Sequence, residues 1–93
     1  IESVKAPVYS FNVPISDYDS VGRFGQVVME VQMTADNRRK VATFLVNGYP
    51  LYLDTSDDHF SFDLTPYVVP GQNSLRIVAE TSFDVASLDI FLV

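Results

Sequence analysis

The chain has 93 residues, 47% of them hydrophobic, with a formal net charge of -6 and no cysteine. That length and apolar content suit one folded domain rather than a disordered chain, and the acidic balance argues against nucleic-acid and anionic-membrane surfaces. The missing thiols exclude a disulfide framework and a thiolate metal site, and no apolar run approaches the ~20 residues that a membrane span requires.

Residue 1 is Ile rather than Met. That points to a processed start, or to residues 1–93 as a single β-sandwich domain excised from a longer protein. Val8 to Val13 reads as a strand bounded by Pro7 and Pro14, and Ser16 to Gly22 as a polar loop. From Gln26 to Thr34 the period is two. Val27, Met29, Val31 and Met33 share one face, and Val28, Glu30, Gln32 and Thr34 the other, which marks a half-buried strand. Asp36-Asn37-Arg38 supplies a turn, and the run Arg38-Arg39-Lys40 reads as solvated charge.

Val41 to Asn47 is rich in β-branched and aromatic residues. Asn47-Gly48 then predicts a tight hairpin, because both residues tolerate positive φ. Leu51-Tyr52-Leu53 is a short return strand, and 54–58 a polar loop. Phe60, Phe62 and Leu64 alternate with Ser61 and Asp63 as a further strand. Thr65-Pro66-Tyr67 predicts a helical turn, with Thr65 capping and Pro66 at its first position. Pro70-Gly71-Gln72-Asn73 is a turn, followed by a strand with Leu75, Ile77 and Ala79 on one side.

In the last segment Leu88, Ile90 and Leu92 oppose Asp89, Phe91 and Val93. Phe91 and Val93 make this strand apolar on both sides, and Val28 and Val78 interrupt otherwise polar faces. No segment carries a helical period of useful length. The fold class is therefore all-β: an antiparallel sandwich of jelly-roll type with about seven or eight short strands. Phe11, Phe24, Phe44, Phe60 and Phe62 are assigned to the core or to an inter-domain face.

Three stretches, in order and spacing, resemble the galactose-binding-like jelly roll, and most of all the sugar-binding domain of glycoside hydrolase family 2 enzymes. They are 42–48 ending in Asn47-Gly48, 60–68 with its Asp63-Leu64-Thr65 run, and 70–78 with Gly71, Asn73 and Leu75. The N-terminal third departs from that pattern and lacks the family's usual tryptophan. The resemblance implies an extracellular or cell-surface accessory domain, beside an enzyme or an adhesin, with glycan as one ligand class. The same residues also have local structural roles: Asn47-Gly48 makes a hairpin, Asp63 and Thr65 satisfy backbone donors, and Gly71 and Asn73 shape the entry to a strand.

Catalytic chemistry finds little support. His59 is the sole histidine, and no Gly-x-Ser-x-Gly elbow accompanies it. A carboxylate pair for glycoside hydrolysis, about 5–10 Å apart, would need burial that a small sandwich does not offer. No enzymatic activity is expected. Asp54, Asp57, Asp58 and His59 cluster in one loop, and Asp17 and Asp19 in another. They serve as loop solvators. The cofactor that their oxygen chemistry would take is calcium, with Asp57 and Asp58 as ligands. The sequence demands no cofactor.

For sugar, an exposed aromatic face with planar polar groups at its rim is the required chemistry. Tyr52 is the leading candidate, since Leu51 and Leu53 turn inward. Tyr49, Tyr18, Asp57 and His59 complete the ligand-binding set. Two readings follow. One is a non-catalytic carbohydrate-binding or accessory module of a secreted or cell-surface protein. The other is a structural module whose apolar surface docks a neighbouring domain or subunit without a small ligand, including by strand addition at a sheet edge.

Overall fold

Hydrophobic alternation of period two is cleanest over 27–34 and 71–79. The computed structural model describes residues 5–13, 25–34 and 39–93. Among them are seven strands: β1 (Lys5–Val13), β2 (Val27–Thr34), β3 (Lys40–Val46), β4 (Tyr49–Thr55), β5 (His59–Asp63), β6 (Gly71–Ala79) and β7 (Asp84–Leu92). They form a four-stranded sheet in the order β1-β6-β3-β4 and a three-stranded sheet in the order β5-β2-β7. All pairings are antiparallel. Between consecutive described strands, only β3→β4 stays within one sheet and every other connection crosses. The result is an antiparallel β-sandwich. The sheet-to-sheet alternation accords with jelly-roll winding, with seven strands among the described residues.

The core lies between the sheets. Val27, Met29, Val31 and Met33 of β2 face Ala42, Phe44 and Val46 of β3 together with Leu75 and Ile77 of β6, and all are buried. Phe44 of one sheet meets Phe60 of the other edge-on, with centroids 5.3 Å apart, and Phe62 at 5.8 Å. Such offset geometries suit the ring quadrupoles. Phe11 packs against the same core. Phe83, in the connection between β6 and β7, is wholly buried. Its sequence neighbourhood has no period to announce it.

The β3–β4 hairpin forms as expected. Asn47 has φ 51° and Gly48 φ 85°, the paired positive values of a two-residue type I′ turn, whose twist matches the flanking strands. Gly71 opens β6 at φ 87°. Several local expectations are corrected. β4 extends well beyond 51–53 and takes Asp54 into the strand, leaving 56–58 as the loop. Pro50 lies within β4, which tolerates it because β4 is an edge strand. β1 begins before Pro7, and its register shifts between Lys5 and Val8.

Thr65 does not cap a helix. Its Oγ1 accepts from the backbone N–H of Val27 at 3.0 Å, while Asp63 Oδ1 accepts from the Thr65 N–H. Lys40 is not solvated: its side chain is 1% exposed. The loop expected at 16–22, the turn at 36–38 and Phe24 lie outside the described residues. No helix among the described residues is long and apolar enough to cross a membrane.

Candidate functional site

The outer face of the four-stranded sheet carries the most exposed aromatic ring among the described residues, Tyr52 at 62%. Strand parity puts it there. Leu51, Leu53 and Thr55 turn toward the core, and Pro50, Tyr52 and Asp54 turn out. Directly across β3 stands Thr43, and beyond it Val78 of β6. The adjacent row reads Pro50, Leu45, Arg76. The result is a largely apolar surface with charge at its margins.

One margin is a bidentate ion pair. Arg39 Nε donates to Asp54 Oδ1 at 3.0 Å, and Nη2 donates to Oδ2 at 2.8 Å. The planar fork fixes both groups in one plane. Hydrogen bonding from Arg39 holds the Asp54 carboxyl below the usual carboxylate range, slight desolvation opposing it and the guanidinium charge adding to it. The same hydrogen bond, and then the carboxylate charge, raise Arg39 further. Tyr52 shares the outward face of β4 with Asp54, two residues along the strand. An aromatic ring beside a planar donor–acceptor pair has the chemistry to stack a pyranose and bond its hydroxyls.

The other expected ligand-binding residues do not join this surface. Tyr49 is three residues from Tyr52 and so has the opposite strand parity. It is 56% exposed and packs on Tyr67, with ring centroids 5.5 Å apart. His59 opens β5 in the other sheet, with Nε2 3.9 Å from Glu30 Oε2. Asp57 is exposed in the β4–β5 loop, and its N–H donates to Thr55 Oγ1 at 3.0 Å. Tyr18 lies outside the described residues.

The loop whose carboxylates would suit calcium is organised around an ammonium. Lys40 extends from the inner face of β3, and its Nζ reaches Asp58 Oδ1 at 3.1 Å and the Ser56 carbonyl at 3.5 Å. The Asp58 side chain remains 72% exposed. Its backbone carbonyl accepts from the Met33 N–H at 2.7 Å. Among the described residues no three His, Asp or Glu side chains converge as a metal site.

The three stretches behind the family resemblance meet in one place. Asn47 Nδ2 donates to the Tyr67 carbonyl and to Asn73 Oδ1, both at 2.8 Å, and Asn47 Oδ1 accepts from Ser74 N–H at 2.9 Å. Asn73, buried at the start of β6, also accepts from Val69 N–H and donates to the carbonyls of Val69 and Gly71. Both lone pairs and both protons of the Asn73 amide are thus used. This cluster ties the β3–β4 turn to the chain from Tyr67 to Ser74, its amides bonded to one another and to backbone. Comparison with family models, with curated proteins and with solved structures returns no match to this chain.

Proposed function

We propose that the chain is a non-catalytic carbohydrate-binding or accessory module of a secreted or cell-surface protein, and that glycan lies on the outer face of the four-stranded sheet. The observation that carries this reading is the exposed Tyr52 ring beside the Arg39–Asp54 fork. The ring supplies the stacking surface for the apolar face of a sugar. The fork supplies fixed donors and acceptors at its rim, and Thr43 stands directly across from the ring. A flat sheet face suits a polysaccharide chain better than a small enclosed ligand, because it buries one side of several successive rings.

The test is an amide-shift titration of the domain with a panel of oligosaccharides, with and without calcium. Shifts clustered on β3 and β4 around Tyr52 support the reading. Tyr52→Ala should abolish them with the fold intact, and Tyr52→Phe should keep them. Unchanged binding by Tyr52→Ala removes Tyr52 from the site. Silence across the panel at millimolar sugar removes the glycan reading. Calcium dependence of the shifts would bring in Asp57.

A further inference from the structure

Among the described residues the two sheets have unequal numbers of strands, and the mismatch opens at one flank. There the edge strands β1 and β7 flank a cleft of about 520 Å³, lined by Phe11, Leu75, Val85, Leu88 and Ile90. A smaller hollow of about 150 Å³ shares Phe11 and Ile90 and continues it to Val13 and Leu92. The cleft runs along β7 where a fourth strand of the three-stranded sheet would lie. Among the described residues no strand pairs with that side of β7.

The backbone there is set for pairing. Gln26 and Val93 exchange both N–H···O bonds. In an antiparallel ladder, bonded and non-bonded pairs alternate. With Phe91 opposite Val28 and Asp89 opposite Glu30, the groups of Phe91 and Asp89 turn toward β2. Those of Leu88, Ile90 and Leu92 turn outward to the open edge. The same three residues line the cleft with their side chains.

Charge identifies the occupant. The described strands of this sheet carry no Lys or Arg. Glu30 and Asp89 stand directly opposite each other, and Asp84 lies at the start of β7. Sheet edges are commonly guarded by lysine, and this one is acidic. A second copy of the chain would bring the same acids against them, with a net charge of -6 on each. We infer that the β1–β7 cleft docks an extended strand from a partner protein, apolar on the side facing the cleft and basic on the side facing solvent. It would complete the three-stranded sheet to four. This surface is distinct from the Tyr52 face, which lies at the far edge of the other sheet.

The probe is a synthetic peptide of alternating valine and lysine, read by amide exchange and chemical shift on the domain. In the free domain the amides of Leu88, Ile90 and Leu92 should exchange at least tenfold faster than those of Asp89 and Phe91. Peptide should slow that exchange and shift β1 and β7 resonances, more weakly as salt is raised. Leu92→Lys, at a residue 43% exposed, should weaken peptide binding at least fivefold while leaving the spectrum of the fold unchanged. Equal binding of a valine–glutamate peptide would overturn the basic partner. So would a salt-stable dimer that protects the same three amides, since the occupant would then be a second copy. No effect at millimolar peptide, or shifts elsewhere, would overturn the docking site itself. None of these readouts uses glycan, so failure here and failure of the carbohydrate reading are separable.

Discussion

Asn47 and Asn73 are joined amide to amide at 2.8 Å, and this bond ties the β3–β4 turn to the beginning of β6. Each side chain also holds backbone that has no ladder partner. Val69, just before β6, depends on Asn73 for both its N–H and its carbonyl contacts.

Asn73→Ala should therefore destabilise by about 2–4 kcal/mol, because it leaves several sequestered polar groups unsatisfied at once. Asn47→Ala should cost a similar amount. The double variant should fall short of the sum by about 1–2 kcal/mol, as expected for residues in one network. Urea denaturation of the four proteins closes the cycle. Strict additivity would mean the two amides act independently.

Gly48 and Gly71 test backbone conformation without packing. A Cβ at either meets nothing within 4 Å, yet both have strongly positive φ. Alanine at each should cost about 1–2 kcal/mol through backbone strain alone. Gly25→Ala is the opposite case: its Cβ would fall 2.7 Å from the Val93 carbonyl oxygen. That substitution should disturb the pairing of Gln26 with Val93, visible as faster exchange of the Val93 amide.

Lys40 separates stem from charge. Lys40→Met keeps the buried stem and releases Asp58, which is exposed enough to rehydrate, so stability should move by no more than about 1 kcal/mol. Lys40→Ala deletes the stem as well and should cost about 2–4 kcal/mol. Thermal melts of the pair discriminate. Equal losses would assign the effect to the charge.

The Arg39–Asp54 pair fixes the sign of one pH dependence. The folded-state pKa of Asp54 is depressed, so its contribution is complete above the ordinary carboxylate pKa and is lost as pH falls through the lower folded value. Arg39 shifts upward and stays protonated throughout, adding no slope near neutrality. Asp54→Asn should flatten the acid limb of the stability curve and leave the curve unchanged in shape from pH 6 to 8. Denaturant midpoints measured from the acid limb up to neutral pH would show it.

Much of the fold was legible from parity. β2 alternates without exception, and Asn47-Gly48 fixes its hairpin. Parity also held information that the local composition obscured. Lys40 shares its face with Ala42, Phe44 and Val46, but its neighbours Arg38 and Arg39 make the run look solvated. Asn73 shares its face with Leu75 and Ile77, but Gly71 makes it look like a turn residue. Tyr49 and Tyr52 differ by an odd number of positions, so one sheet face never presented both. What parity could not supply was pairing across the molecule. The Arg39–Asp54 fork and the Lys40–Asp58 contact depend on the β3–β4 register, which places Lys40 opposite Thr55, and on the loop that follows.

The edges of the sandwich are protected unequally. β4 contains Pro50, β1 contains Pro7 and an irregular register, and β5 is short, with only five residues. β7 has its own irregularity where Ser87 and Val85 oppose consecutive residues of β2, and beyond it 87–92 is regular. A body with one regular open rim among its described strands has a limited assembly repertoire. Linear polymers need two complementary rims per subunit, whereas one rim closes on itself after a single encounter. Any self-association of this chain through that rim should therefore stop at two copies and not propagate into filaments.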